Sequence, residues 1–240
     1  MTTATATDQM IPAAPSVETQ LPFDLYREVH KGLRSMLFHL TAEVGRTDAT
    51  EAGRRVHLAN RVRVAAGLLH HHHGHEDVFI QPLLEQVAPT LARTIDDGHH
   101  EIDGRITDLE QRAGQLVACH ADAAPVVAHS LYRALATFTS TYLAHMDTEE
   151  DDVMTALRAA RPVDELVALE MELRGAVAPP VMCDFISIMV PAMTPAERTD
   201  MLGGMHAGAP AEIFEQFRSA TQSVLSPEDY RTLATTVGFD

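Results

Sequence analysis

The sequence lacks several features on which common protein classes depend. Among 240 residues it has no tryptophan, 5% aromatic residues and only two cysteines, Cys119 and Cys183, which are far apart and form no CxxC pair. This excludes a disulfide-rich scaffold and a thiolate metal site, and it favours a reducing compartment. No apolar run is long enough to cross a bilayer, and residues 1–21 lack the basic start and apolar segment of a signal peptide. We therefore expect a cytoplasmic protein without a membrane partner.

Basic residues are also scarce, because 18 Lys and Arg stand against 34 Asp and Glu, which gives a formal charge of −16. Such a surface repels phosphate backbones, so we expect no nucleic-acid partner. Histidine, in contrast, is abundant, with 14 copies. Since imidazole is the commonest metal ligand among side chains, this excess directs attention to metal binding.

The apolar pattern predicts an all-α fold, because apolar residues recur at intervals of three and four from Pro22 onward and β-branched runs are absent. We expect a disordered tail over residues 1–21, an up-down four-helix bundle over 22–162 and a helical C-terminal extension over 163–240 that packs on one end of the bundle. The bundle helices are predicted at 22–44, at 50–84 with a kink or early end at Pro82, at 90–117 and at 124–160.

An internal repeat is the most informative feature of the sequence. The second and fourth predicted helices carry matching stripes with steps of four, three, four, three and four, every pair offset by 73 residues. These stripes are Leu58, Val62, Ala65, Leu69, His72 and Glu76, and Leu131, Leu135, Phe138, Tyr142, His145 and Glu149. The first and third helices match with an offset of 69, which pairs His30 with His99. The chain thus contains twice a helix with an inward His followed by a helix with an inward HxxxE.

The repeat predicts a metal site, because ionisable groups buried without partners in a core cost several kcal/mol. Four imidazoles and two carboxylates are typical of a dinuclear centre, with iron the first choice and zinc or manganese as alternatives. The competing interpretation is a plain helical bundle in which HxxxE pairs are surface contacts. It applies best to the run 70–73, since consecutive helical residues point around the full circle.

The residues His30, His72-xxx-Glu76, His99 and His145-xxx-Glu149 resemble the H–HxxxE–H–HxxxE pattern of hemerythrin-like proteins, the HHE cation-binding domain, over about 22–160. The string 72–83 also resembles that family, which commonly places an apolar pair and a proline after its first HxxxE. The resemblance implies a four-helix bundle that holds two irons. It implies Glu76 and Glu149 as bridging ligands and His30, His72, His99 and His145 as terminal ligands.

The sequence departs from the oxygen-carrying hemerythrins, which have HxxxH on the third helix and HxxxxD on the fourth. Asp103 and Glu150 stand at the corresponding positions, and the repeat favours Glu149 over Glu150 as the ligand. Residues expected to support the ligands or to replace one of them are Tyr26, His73, His100, Asp103, Tyr142 and Glu150. With fewer histidines than the oxygen-carrying hemerythrins, this chain would leave more coordination positions open on the metal. Open positions favour the binding or turnover of small molecules.

The leading hypothesis for function is a non-heme diiron protein that binds dioxygen, peroxide or nitric oxide in sensing, storage or oxidative and nitrosative defence. A second hypothesis is an oxygen- or peroxide-activating diiron enzyme, an oxidase, oxygenase or catalase-like protein, with the C-terminal extension walling a substrate pocket. A third is a metal-binding interaction module. The sequence leaves the oligomeric state open.

Overall fold

A computed structural model describes residues 21–239, and the predicted disordered tail therefore lies, apart from Leu21, outside the described residues. The described part is helical and contains no strand, which confirms the all-α prediction. The helices are α1 (Arg27–Arg46), α2 (Ala52–Phe79), α3 (Gln81–Val87), α4 (Pro89–Ala118), α5 (Ala124–Thr148), α6 (Met154–Ala160), α7 (Val163–Ala176), α8 (Pro179–Ala192), α9 (Pro195–Gly208), α10 (Ala211–Val224) and α11 (Pro227–Val237). A π-helical turn, Glu149–Val153, joins α5 to α6.

Four long helices share the main core. α1 packs against α2 and α5, and α4 packs against the same two helices. Their apolar stripes face inward at the predicted spacing, so that Leu33, Leu58, Ile106 and Leu131 are fully buried. Burial of side chains of this size stabilises the fold by about 1.5–3 kcal/mol each, before the entropy cost of ordering the chain is subtracted.

The helix boundaries differ from the predicted ones at three places. α1 begins at Arg27 rather than residue 22, because the Asp24 side chain accepts a hydrogen bond (2.9 Å) from the Tyr26 N–H and forms a turn there. The second predicted helix ends at Phe79 and restarts as α3, so the proline signal marks an early end rather than a kink. The fourth predicted helix is interrupted by the π-turn.

The C-terminal extension lies along the side of the bundle and not on one end of it, which corrects the sequence-based expectation. α8 packs lengthwise on α1, and α10 packs on α8. The close approach depends on Gly32, because a Cβ there would lie 3.0 Å from the backbone of Met189. The Lys31 ammonium also donates to Glu197 Oε1 (2.6 Å), at the start of α9, where Thr194 and Glu197 form a capping box. A small residue and an ion pair thus fix the extension against α1.

The start of the extension is also its most apolar part. Across residues 21–239, no single helix combines the length and apolar character needed to span a bilayer. Only α7 and α8 taken together pass such a test, and the chain bends by 115° between them.

A polar layer divides the apolar interior into a large and a small cluster. The large cluster contains the central parts of the four long helices, and the small one contains Tyr26, Ile95 and Val153 among others. Between the clusters each helix places His or Glu on its inward stripe, as α4 does with His99 between Ile95 and Ile102. The candidate site is therefore enclosed by apolar side chains on both sides.

Candidate metal centre

The structure brings together all six residues predicted as metal ligands. Their side chains are buried or nearly so, and they belong to four different helices and the π-turn. α1 supplies His30, α2 supplies His72 and Glu76, α4 supplies His99, α5 supplies His145, and the π-turn begins with Glu149. The donor atoms fall into two groups that lie side by side, {His30, His72, Glu76, Glu149} and {His99, His145, Glu149}.

In the first group, the Nε2 atoms of His30 and His72 lie 3.1 Å apart. His30 Nε2 lies 3.4 Å from Glu149 Oε2, and His72 Nε2 lies 3.1 Å from Glu76 Oε1. An ion that bonds two donors at about 2.0–2.2 Å holds them roughly 3 Å apart, so these separations fit donors around one ion.

In the second group, Glu149 Oε1 lies 3.0 Å from His145 Nε2 and 3.5 Å from His99 Nε2. The other carboxylate also reaches this group, because Glu76 Oε2 lies 3.5 Å from His99 Nε2. Glu76 and Glu149 therefore each direct one oxygen to each group. Both carboxylates could therefore contribute a ligand to each group.

The unsatisfied polar atoms test whether a metal fits these residues. Within the described chain, both oxygens of Glu76, both oxygens of Glu149 and the Nε2 atoms of His99 and His145 are buried without a hydrogen-bond partner. A buried polar group without a partner costs about 1–3 kcal/mol, and more if it is charged. Cations between the donors would satisfy all of these atoms at once. The donor set therefore fits a metal centre.

The pKa values of the two buried glutamates are shifted in opposite directions. Burial and the Glu149 charge raise the pKa of Glu76 well above its usual value. Burial acts in the same direction on Glu149, but the imidazoles of His145 and His99, whose Nε2 atoms lie 3.0 and 3.5 Å from Glu149 Oε1, outweigh it and lower its pKa. The two close carboxylates therefore oppose each other's ionisation. A bound cation would favour the ionised form of both.

His30 is oriented by a pair of charged side chains outside the ligand set. Its Nδ1–H donates to Glu150 Oε1 (2.7 Å), and Arg34 donates to both oxygens of Glu150 (2.6 and 3.0 Å). Burial raises the pKa of Glu150, but these hydrogen bonds outweigh it and lower the value to about 2. Because Nδ1 carries the hydrogen, Nε2 is free to be a ligand. Glu150 thus supports His30, and Glu149 occupies the cluster.

The π-turn explains how two consecutive glutamates both reach α1. In a regular α-helix a step of one residue turns the side chain by 100°. The π-turn Glu149–Val153 widens the helix locally, and such turns are frequent at functional sites. Glu149 points into the cluster while Glu150 reaches the outer nitrogen of His30.

His99 has an analogous support that the sequence analysis missed. Its Nδ1–H donates to Asp77 Oδ1 (2.7 Å), which leaves Nε2 directed at the carboxylates. Burial lowers the pKa of His99, but the hydrogen bond to Asp77 and the nearby Glu149 and Glu76 carboxylates outweigh it and raise the value to about 10. In the sequence, Asp77 can be recognised only as an acidic residue directly after HxxxE. Arg34, which holds Glu150, can be recognised only as a basic residue four positions after His30.

Two tyrosines border the cluster, one on each apolar side. The Tyr26 ring stacks on His30 with centroids 4.9 Å apart, and the Tyr142 ring lies 6.2 Å from His145. Burial, together with the charges of the two carboxylates, raises the pKa of both phenols well above the usual value. Both therefore stay protonated beside the site.

Three other predicted supporting residues do not join the cluster. His100 is 77% exposed and bonds to the Asp96 carbonyl (2.8 Å), because it follows His99 by one residue and faces outward. This corrects the expectation that it supports or replaces a ligand. His73 and Asp103 contact each other (2.8 Å) in a separate group on the outer side of α2 and α4.

A family model, the hemerythrin HHE cation-binding domain, matches residues 21–168, a segment that contains the whole cluster. The chain belongs to this family. Comparisons with curated proteins and with solved structures find no significant match. Membership implies that this HHE domain binds metal cations, and the two groups of His and Glu donors could hold them.

Gly98 of the HHE domain leaves room for a ligand side chain. A Cβ at this position would lie 2.9 Å from His145 Nδ1, so we expect Gly98→Ala to displace that ring. The expected result is a loss of metal affinity at the second donor group of about 10- to 100-fold, the range found when a ligand loses its support. Metal content after dialysis measures the effect.

Gly104→Ala is the matched control for this prediction, because nothing lies within 4 Å of a Cβ at that position of α4. It should keep the metal content and stabilise the helix by about 0.5–1 kcal/mol. Equal metal content in the two variants would show that Gly98 has no role in placing His145.

Proposed function

We propose that the protein is a non-heme diiron protein that binds dioxygen or a related small molecule, peroxide or nitric oxide, in sensing, storage or oxidative and nitrosative defence. The donor set supports iron, because imidazole and bridging carboxylate together suit that metal. A bound iron pair would supply reversible redox change and open coordination positions. The protein residues supply the ligand geometry, the exclusion of water and access for the small molecule.

An apolar cavity beside the ligands carries this proposal. It has a volume of about 80 Å³ and reaches His72 and Glu76 from the side of the C-terminal extension. Its lining includes Tyr26 and Val29 from the bundle side and Met182, Phe185, Met189 and Met201 from the extension. Glu170, Arg174 and His75 also line the cavity, but most of its wall is apolar, which favours a small apolar guest over water.

The size of the cavity distinguishes between the possible guests. An apolar protein cavity that takes up benzene measures about 150 Å³. A volume of about 80 Å³ suits a diatomic molecule better than an organic substrate. The extension does wall a pocket, as the enzyme hypothesis requires, but the size of that pocket favours dioxygen or nitric oxide. The protonated Tyr26 phenol lies on the same wall, next to the ring of His30.

We further propose a reducing compartment such as the cytoplasm. Cys119 and Cys183 are both free thiols, although each is partly accessible. Free thiols of this kind persist where disulfides do not form.

Cavity filling tests the proposal. Met201→Trp should occupy the chamber without touching a ligand, so we expect unchanged iron content and a rate of dioxygen or nitric oxide binding to the reduced protein at least about tenfold lower. The physical reason is steric, because the added ring atoms take the volume that the guest requires. Anaerobic stopped-flow spectroscopy measures the rate.

Met171→Trp is the control, since Met171 is exposed on α7 and does not line the cavity. It should bind the small molecule at the wild-type rate. Met182→Trp fills the same chamber from another wall and serves if Met201→Trp folds poorly. The proposal fails if a filled cavity leaves the rate unchanged, or if the iron-loaded protein shows no saturable response to dioxygen, peroxide or nitric oxide.

A further inference from the structure

A second cluster of metal-ligating side chains lies on the outer face of the bundle, where α2 and α4 meet. His70 and His73 are three residues apart on α2 and therefore share one face of the helix. Asp103 faces them from α4. Its Oδ1 atom lies 2.9 Å from His70 Nδ1 and 2.8 Å from His73 Nε2.

We propose that His70, His73 and Asp103 bind a single divalent transition-metal ion, zinc in the first instance, separately from the buried cluster. Two imidazoles and one carboxylate supply three ligands, and a fourth position remains for water, which is the composition of an open zinc site. Asp103 Oδ1 already lies 2.9 and 2.8 Å from the two imidazole nitrogens, near the roughly 3 Å separation of ligands on one ion. Small rotations of the exposed side chains would complete the coordination.

The burial pattern of the cluster suits an ion that exchanges with solvent. His70 and Asp103 are about half exposed, at 43% and 50%, whereas His73 is 6% exposed. The buried ring gives the site a fixed ligand, and the exposed pair gives the ion access. Within the described chain, His73 Nδ1 has no hydrogen-bond partner, so its contact with Asp103 is the polar anchor of the ring.

The surroundings favour a cation. Asp77 adds a further negative charge close to His73, and the chain as a whole carries a formal charge of −16. The His73 ring also packs against the His99 ring, with centroids 5.3 Å apart. An ion at this site would therefore join α2 to α4 at the level of the buried ligands, although it would share no donor with them.

The test is zinc uptake by untagged, iron-loaded full-length protein. Dialysis against micromolar zinc, followed by elemental analysis of zinc and iron together, should give one zinc per chain with the iron retained. Asp103→Asn and His70→Ala should each weaken zinc binding at least about tenfold and leave the iron content unchanged. Both changed residues are partly exposed, so the variants should fold normally.

His100→Ala is the matched control, because His100 is an exposed α4 histidine beside Asp96 and belongs to no group of three possible ligands among residues 21–239. It should bind zinc as the wild type does. Zinc that displaces iron instead of adding to it would assign the uptake to the buried cluster and overturn the proposal. The absence of saturable uptake, or equal uptake in Asp103→Asn and the wild type, would overturn it as well. Because zinc and iron are measured separately, failure of this site is distinguishable from failure of the diiron proposal.

Discussion

Glu149→Gln is expected to abolish the binding of both ions and not only of one. Each oxygen of Glu149 faces a different donor group, with Oε2 3.4 Å from His30 Nε2 and Oε1 3.0 Å from His145 Nε2. The amide removes a negative charge shared by both groups and offers only one oxygen. Loss of a supporting residue costs about 10- to 100-fold in metal affinity, so loss of a shared ligand should cost more than about 100-fold for each ion.

Glu150→Gln provides a closely matched comparison, because it changes the next residue in the same way. Glu150 touches His30 Nδ1 and Arg34, and it does not enter the cluster. We expect this variant to keep most of its metal and to weaken binding at the His30 group alone. Competition titration with a metal-binding dye would measure both variants. If Glu150→Gln lost both ions while Glu149→Gln retained them, the assignment of the two glutamates would be reversed.

Removal of the metal is expected to destabilise the fold strongly. Metal-free protein must bury four imidazoles and two carboxylates, and in the described chain six of their polar atoms have no partner. An ion present at 1,000 times its Kd contributes about 4 kcal/mol, so a pair contributes roughly 8 kcal/mol. For a chain of this size 1 kcal/mol shifts Tm by about 2–4 °C, which predicts a fall of more than about 15 °C.

Calorimetry of the protein with and without a chelator measures this fall. Glu149→Gln serves as the control, since a variant that no longer binds the ions should show the same Tm in both conditions. A wild-type Tm that does not change after complete metal removal would mean that the six side chains are stable without an ion. The dinuclear interpretation would then lose its energetic basis.

The six clustered residues could be predicted because the sequence repeats them at fixed helical spacing. Steps of three and four keep His72 and Glu76 on the apolar stripe of one helix, and the same steps place His145 and Glu149 on another. An inward stripe that changes from Leu to His indicates a polar layer within the bundle. The match of the family model to residues 21–168 confirms the hemerythrin-like resemblance.

The surrounding residues could not be predicted, because their contacts depend on how separate helices approach. Nothing in the sequence distinguishes Asp77 from other acidic residues. Its role depends on the packing of α4 on α2, which places His99 Nδ1 2.7 Å from Asp77 Oδ1. Asp103 has a ligand-like position in the sequence, but the geometry turns it toward His70 on the outer face. The π-turn that separates the roles of Glu149 and Glu150 has no periodic signal of its own.

The spacing of apolar residues also does not predict where the C-terminal extension packs on the bundle. A cap such as Thr194 indicates where a helix of the extension begins, but it does not indicate which helix that element packs on. The side-by-side contact depends on the absence of a side chain at Gly32, opposite Met189. Met189 also lines the apolar cavity beside His72, so the position of that cavity depends on the same tertiary contact.

Anomalous diffraction at the iron edge, from crystals of untagged full-length protein loaded with iron, tests the central claim most directly. We predict two strong peaks in the interior, one among His30, His72 and the two shared carboxylates, and one beside His99 and His145. A single interior peak, or iron bound only outside this cluster in a protein that is otherwise fully folded, would contradict the account.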